Sequence, residues 1–141
     1  MLKNIPSILT PELLKVLMEM GHGDELVLAD GNFPKFAHPE NVIRCDGHGI
    51  PELMDAILQF MPLDPYVEHP TIYMAVLPDD PYKPEIWPVY EEIGKKYEEK
   101  GLRAEQISKW DFYPRAKNAY AVVTTSEGAL YANVILKKGV I

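Results

Sequence analysis

The chain has a single cysteine among its 141 residues and contains no apolar run of about 18 residues. One cysteine excludes a disulfide within the chain, and the missing apolar run argues against a membrane-spanning helix. The first residues, MLKNIPSILTPELL, lack the long apolar stretch and the small-residue cleavage site of a secretory signal peptide. We therefore expect a cytoplasmic protein with no membrane partner.

Basic residues are also scarce in this chain. Its 14 lysines and arginines are outnumbered by 21 aspartates and glutamates, which gives a net charge of −7. Because binding to phosphate backbones needs a basic surface, this balance disfavours a nucleic-acid partner. The rest of the composition is ordinary for a globular protein, with 47% hydrophobic and 25% charged residues. This length predicts one domain, residues 1–141, with a sizeable core.

Several motifs of cofactor-using and hydrolytic enzymes are missing as well. The chain has no Walker loop, no dinucleotide-binding fingerprint and no Gly-x-Ser-x-Gly elbow. His22 with Asp24, and Asp46 with His48, are conceivable pairs of metal ligands. Neither pair has the i, i+4 spacing of a helical metal site, so we expect no metal.

Strands and helices are predicted to alternate along the chain. Thr10 can cap the free amides of a helix and Pro11 suits its first turn, while Gly21 is a natural end. The alternation predicts a three-layer α/β sandwich with a mainly parallel or mixed central sheet. The predicted strands are 25–29, 41–45, 71–77, 105–109, 120–125 and 133–136. Besides the helix after Thr10, one helix is predicted to begin at 49–52 and two more to cover 86–100 and 111–118.

Two charged residues follow predicted strands. Ligands of α/β sheets tend to bind beyond the carboxyl ends of strands, which is where Asp30 and Lys109 are expected. Asp30 is therefore a candidate binding residue, although an aspartate that caps the bend at residues 31–32 is an equally simple interpretation. Lys109 has a simple alternative too, as an exposed lysine at a strand end.

His22 is the candidate proton carrier of the chain. Its unperturbed pKa of about 6.5 suits proton transfer at neutral pH, and Asp24 or Asp30 is available as a carboxylate partner. A histidine between two glycines is also typical of a loop or cap. Because His22 precedes the first strand whereas Asp30 follows it, the two need not lie at the same edge of one subunit.

Tyr131 and Asn133 lead into the last predicted strand. Side chains two residues apart point the same way in an extended chain, so these two can offer donors and acceptors to hydroxyl groups together. The alternative is a tyrosine that packs on its ring and an asparagine that serves a turn.

Six segments of the chain carry a recognisable pattern. They are ELLKVL at 12–17, MGHGDE at 20–25, Asp30 with FP at 33–34, VIR-x-DG at 42–47, FY-x-RA at 112–116 and Y-x-N-x-x-LKKGV at 131–140. On these segments the chain resembles the L-fucose mutarotase and D-ribose pyranase family over nearly its whole length. The two ends are most similar to the fucose branch, and the middle of the chain is less so.

The resemblance implies a cofactor-independent isomerase with the ribose-pyranase-like fold. Members interconvert the anomers of a free monosaccharide, and they use neither cofactor nor metal. They assemble as ring-like homo-oligomers, often decamers, with sites at subunit interfaces. Carried over by position, the family's proton-transferring histidine is His22, and its sugar-binding positions are Asp30, Lys109, Tyr131, Ala132 and Asn133.

Two positions depart from the fucose branch. Lys109 replaces an arginine, or the histidine of the ribose branch, and Asn32 replaces a histidine. Lysine keeps the positive charge but lacks the planar fork of arginine, which bears on sugar preference. The implied substrate is L-fucose. The alternatives are D-ribose, another sugar, or a sugar-binding protein without catalysis.

Overall fold

The computed structural model describes residues 1–141, which form four α-helices, one short 3-10 helix and six β-strands. No helix is long and apolar enough to cross a lipid bilayer. In chain order the elements are α1 Pro11–Glu19, β1 Glu25–Ala29, the 3-10 helix Lys35–Ala37, β2 Asn41–Cys45, α2 Ile50–Leu58, β3 Thr71–Met74, α3 Ile86–Tyr97, β4 Ala104–Ile107, α4 Lys109–Lys117, β5 Ala121–Thr125 and β6 Val134–Lys137.

The bounds of β1 and β2 agree with the prediction, whereas several other ends were wrong. β3 stops at Met74 instead of residue 77, and α3 stops at Tyr97 instead of residue 100. α3 ends early because Glu98 takes an extended conformation, from which its carboxylate accepts the Leu63 N–H at 2.8 Å. Lys109 was predicted to end a strand and instead begins α4, since the Ser108 hydroxyl caps that helix.

The six strands form one mixed sheet in the order β2-β5-β1-β6-β3-β4. Pairs β2–β5, β5–β1 and β3–β4 are parallel, while β6 lies antiparallel between β1 and β3. The predicted mixed α/β sandwich is therefore confirmed. Since β6 is the one reversed strand, the carboxyl ends of the five other strands share one edge of the sheet with the start of β6. We call this the carboxyl edge, and the opposite one the amino edge.

Helices cover both faces of the sheet, and β1 shows how the strands serve both. Leu26 and Leu28 point into a large core that α1, α2 and α3 complete. Val27 and Ala29 point the other way, into a smaller core against α4. Alternate side chains of a strand face opposite sides, so a strand buried on both faces must be apolar throughout. This explains the uninterrupted apolar run of β1.

Two glycines permit the close packing at the amino edge. Gly23 has φ +87°, and its N–H donates to the Lys138 carbonyl at 2.8 Å. Gly139 lies against the backbone beside Asp64, where an added Cβ would stand 2.4 Å from the Leu63 carbonyl oxygen and 2.8 Å from the Asp64 Cα. Backbone atoms cannot swing aside, so a larger residue at position 139 must displace the 63–64 segment.

We expect Gly139→Ala to destabilise the fold by about 1 to 3 kcal/mol, the usual cost of overpacking. Urea unfolding measures the change, and Gly128→Ala is the matched control because nothing lies within 4 Å of a Cβ there. The control should remain within about 0.5 kcal/mol of the parent. Equal stability of the two variants would contradict this account of Gly139.

Candidate active site

A cavity of about 300 Å³ opens at the carboxyl edge of the sheet. Segments that follow β1, β3 and β4 line it, together with the segment that precedes β6. Four of the predicted binding residues, Asp30, Lys109, Tyr131 and Asn133, are brought together there. The other lining residues are Asn32, Phe33, Pro34, Met74, Ala75, Leu77, Asp80, Tyr113 and Leu130.

Three other cavities are larger. One, of about 520 Å³, adjoins this cavity and shares Leu77, Asp80 and Lys109 with it, and the other two lack its combination of groups. Of these two, one of about 460 Å³ is lined by the amino-terminal segment and carries no ionisable side chain. The other, of about 670 Å³, is an open groove beside α3 and contains none of the predicted site residues. Binding pockets are typically apolar with a few converging polar groups, and the carboxyl-edge cavity fits that description best.

Asp30 and Asn133 form a reciprocal pair across the cavity floor. The backbone N–H of Asp30 donates to Asn133 Oδ1 at 2.7 Å, and Asn133 Nδ2 donates to Asp30 Oδ2 at 3.0 Å. The remaining Asp30 oxygen accepts the Asn32 N–H at 2.9 Å. Asp30 thus serves as the predicted bend cap and also faces the cavity, so its two interpretations are compatible.

The environment of Asp30 disfavours its charged form. Burial raises the pKa of its carboxyl above the usual value, and the nearby Glu127 charge adds to the rise. Hydrogen bonds from Asn32 and Asn133 oppose the shift without cancelling it. A carboxylate that is partly desolvated binds hydroxyl donors more strongly than one in water.

Tyr131 reaches the cavity from a strained turn and not from the extended chain that the sequence suggested. Its φ is +57°, a conformation that costs a bulky residue about 1 to 3 kcal/mol. Trp87 Nε1 donates to its carbonyl at 2.9 Å, and its hydroxyl donates to Asp80 Oδ2 at 2.6 Å. Such strain persists only where surrounding contacts hold it, and it is concentrated at functional sites.

Ala132 and Lys109 differ in how they relate to the cavity. Ala132 is fully buried and does not line the cavity, and its carbonyl accepts the Tyr90 hydroxyl at 2.7 Å. Lys109 lines the cavity from the first turn of α4, with its ammonium 4.9 Å from the centre of the exposed Trp110 ring. Its long side chain keeps a positive charge at the cavity mouth.

His22 lies at the amino edge, away from the cavity. The five residues of β1 alone separate the two edges by about 13 Å, at ~3.3 Å per residue. His22 Nε2 is 3.0 Å from Oδ1 of Asp64, and its ring centre is 5.5 Å from that of Tyr66. The carboxylate partner of His22 within the chain is therefore Asp64, neither Asp24 nor Asp30.

The His22–Asp64 pair is half open to solvent. The Asp64 side chain is only 4% exposed, whereas that of His22 is 44% exposed. Burial disfavours the Asp64 carboxylate, but the Tyr66 N–H and the neighbouring His22 outweigh it and hold the pKa of Asp64 below its usual value. Arg103 braces the loop by donating to the carbonyls of Asp64 and Val67 at 2.8 and 2.6 Å. The pair thus presents an oriented imidazole to an approaching group.

Sequence reasoning missed three residues that belong to the cavity or to the His22–Asp64 pair. Asp64 follows a proline-rich bend with no motif of its own, and only the fold places it beside His22. Asp80 belongs to no recognisable motif either, and its contact with Tyr131 spans 51 positions. Tyr113 lines the cavity and belongs to the FY-x-RA segment, which was a usable signal. No group of three or more His, Cys, Asp or Glu side chains is arranged to hold a metal ion.

Two relatives that match nearly the whole of this chain carry the same name. The human protein named fucose mutarotase is 48% identical over 145 residues, which cover 99% of this chain and 94% of that protein. The fucose mutarotase of Streptococcus pneumoniae, solved in complex with L-fucose, is 50% identical with a TM-score of 0.93 and 99% coverage of both chains.

A more distant relative is Bacillus subtilis RbsD, solved in complex with D-ribose. It is 26% identical with a TM-score of 0.73, and the match covers 100% of this chain and 99% of that one. The model of the RbsD / FucU transport protein family matches residues 3–141. These findings confirm the resemblance seen in the sequence segments, and the chain belongs to the RbsD / FucU transport protein family.

Proposed function

We propose that the chain is a sugar mutarotase, a cofactor-independent isomerase that interconverts the α and β anomers of L-fucose. Residues 1–141 act as a single mutarotase domain. The observation that carries the proposal is a pair of polar clusters at opposite edges of the sheet. The first, His22 with Asp64, contains a proton carrier. The second lines the cavity and contains groups that can bind hydroxyls, which are Asp30, Lys109, Tyr131 and Asn133. The names of the relatives at 48% and 50% identity support the reaction and the sugar.

Mutarotation needs little besides acid–base chemistry and positioning. The ring opens when a proton leaves the anomeric hydroxyl and another reaches the ring oxygen, and it recloses on the other face of the aldehyde. General acid–base catalysis supplies on the order of 10²- to 10⁴-fold, and correct positioning supplies more. Neither a nucleophile nor a redox group is required.

His22 is assigned the proton transfer, with Asp64 as the residue that orients it. A carboxylate at 3.0 Å fixes the orientation of the imidazole, so that its other ring nitrogen can be directed at a proton of the sugar. Asp64 replaces Asp30 in the orienting role suggested by the sequence.

The cavity at the carboxyl edge is assigned to sugar binding. Asp30 accepts hydroxyl groups there, while Asn133 and Lys109 donate to sugar oxygens. Tyr131 contributes its ring and its hydroxyl. Ala132 contributes through its backbone, because its buried side chain does not reach the cavity.

A second copy of the chain is needed to complete this site. Since His22 and the cavity lie at opposite edges of one sheet, the His22 that acts on a bound sugar must come from a neighbouring subunit. The 44% exposure of the His22 side chain supports this arrangement, which suits a ring-like homo-oligomer such as a decamer. We further propose that this oligomer works in the cytoplasm.

D-ribose is the second candidate substrate. The relative solved with D-ribose shares the fold at 26% identity, and Lys109 and Asn32 depart from the fucose pattern in this cavity. The higher identity to proteins named for fucose places L-fucose first.

We expect NMR saturation transfer between the two anomeric protons of L-fucose to require His22. His22→Ala should slow enzyme-dependent exchange on the order of 10²-fold or more, because it removes the general acid–base group. His48→Ala is the matched control, since that histidine is 43% exposed and pairs with Glu52 on α2. Exchange of D-ribose, run alongside, measures sugar preference. Undiminished exchange in the His22→Ala protein would refute the assignment, and wild-type exchange of D-ribose alone would move the protein to the ribose branch.

Replacing Asp30 should change how stability depends on pH. Burial raises its pKa in the folded chain, so the folded state binds more protons than the unfolded state between the ordinary carboxyl value and the raised one. The contribution of Asp30 to stability therefore falls as pH rises through this window. Relative to wild type, Asp30→Asn should gain stability as the pH rises from the ordinary carboxyl value of about 4 through the raised pKa of Asp30.

Urea unfolding of both proteins across that range measures the difference in the free energy of unfolding. Asp79→Asn, which alters an exposed carboxylate near the same edge, is the control for a general charge effect. A difference between Asp30→Asn and wild type that stays flat, or that shrinks toward neutral pH, would show that Asp30 is not held in a disfavoured charged form.

A further inference from the structure

Asp80 is a cavity residue that has no role in the mechanism proposed above. It lies in the turn after β3 and lines the same cavity as Asp30 and Asn133. Its Oδ2 accepts the Tyr131 hydroxyl at 2.6 Å, the short distance that is typical of a phenol bound to a carboxylate. This bond joins the β3–α3 connection to the strained turn before β6.

The Asp80 carboxylate is itself fixed in place. Its other oxygen accepts the Tyr82 N–H at 2.9 Å, which forms an Asx turn. The Tyr82 ring stacks on the Tyr131 ring with their centres 6.0 Å apart. Asp80 and Tyr82 therefore form one rigid support against which the Tyr131 side chain rests.

The backbone of Tyr131 is held as firmly as its side chain. Trp87 donates to its carbonyl, and Tyr90 donates to the next carbonyl, that of Ala132. Because contacts restrain the residue at both ends, the phenol has little freedom to turn its hydroxyl elsewhere. Such over-determined geometry is what preserves a strained conformation.

This arrangement decides the hydrogen-bonding character of Tyr131. A phenol has one proton, and here that proton is directed at a carboxylate, so only oxygen lone pairs remain for a ligand. The bond to Asp80 also raises the pKa of Tyr131, which keeps the phenol protonated at neutral pH. The Leu77 N–H donates a long hydrogen bond of 3.4 Å to the same oxygen, and the second lone pair of the hydroxyl remains for a ligand.

An acceptor in this place can bind only a sugar atom that carries a proton. The ring oxygen of a sugar has no proton to donate, whereas each hydroxyl has one. Asp30 keeps free lone pairs after it accepts the N–H groups of Asn32 and Asn133, and these serve other hydroxyl groups of the sugar. The phenol oxygen of Tyr131 lies in the same cavity and is a second acceptor, suited to the hydroxyl that ring opening must deprotonate.

We propose that Asp80 is a positioning residue. Because the Tyr131 hydroxyl donates its proton to the Asp80 carboxylate, the phenol oxygen faces the sugar as an acceptor and binds the anomeric hydroxyl. This inference rests on the proposed mutarotase function and deepens it. It leaves protonation of the ring oxygen to another donor, a role that suits the His22 imidazole of a neighbouring subunit.

Two probe sugars test the inference by calorimetric titration. One is L-fucose, and the other is 1,5-anhydro-L-fucitol, which has hydrogen in place of the anomeric hydroxyl. The wild-type protein should bind L-fucose about tenfold more tightly, the usual effect of one hydrogen bond. Asp80→Asn and Tyr131→Phe should each reduce that ratio to about twofold or less, since neither presents the oriented acceptor. Asp79→Asn should keep the tenfold ratio.

The ratio is measured on one protein sample at a time, so partial loss of folding does not alter it. A tenfold preference that survives in Asp80→Asn would overturn the inference while leaving the mutarotase proposal intact. Equal wild-type affinity for the two sugars would also overturn it, because Tyr131 would then not meet the anomeric hydroxyl. Wild-type protein that binds neither sugar would refute both proposals together.

Discussion

The antiparallel placement of β6 between β1 and β3 is the constraint on which both polar clusters depend. The start of β6 brings Asn133 to the carboxyl edge, where it pairs with Asp30. The end of β6 reaches the amino edge, where the Lys137 and Lys138 carbonyls accept the N–H groups of Asp64 and Gly23. One strand therefore anchors the polar groups of the cavity at one end and the His22–Asp64 pair at the other.

The carboxylates of the two clusters work in different environments. Burial dominates at Asp30 and raises its pKa, whereas hydrogen bonds and a neighbouring imidazole lower that of Asp64. Opposite environments of this kind let one type of side chain take separate roles. An ionised Asp64 suits the orientation of the His22 imidazole, and a partly desolvated Asp30 suits hydroxyl binding. The fold sets both environments through the hydrogen-bond and charge partners that it places around each carboxyl group.

Local sequence signals predicted the elements whose pattern is strong and missed features that only the fold creates. The apolar run of β1 and the start of α1 were evident. Asp30 and Lys109 were expected beyond the carboxyl ends of strands, and both line the cavity at that edge because topology rules are general. The helical start at Lys109 was missed because Ser108 was not recognised as a cap. Asp64 and Asp80 act through partners 42 and 51 positions away, and no spacing rule reaches that far.

The central claim is that each site joins the His22–Asp64 pair of one copy to the cavity of another. Subunit mixing tests it directly: His22→Ala and Asp30→Ala proteins, each inactive alone, are unfolded together, refolded and assayed for L-fucose anomer exchange. If sites are shared between copies, random assembly should restore about a quarter of wild-type activity, because one in four interfaces combines an intact His22 with an intact cavity. If each chain uses its own His22, every mixed site stays defective. Activity that remains at the level of the separate variants would contradict the account.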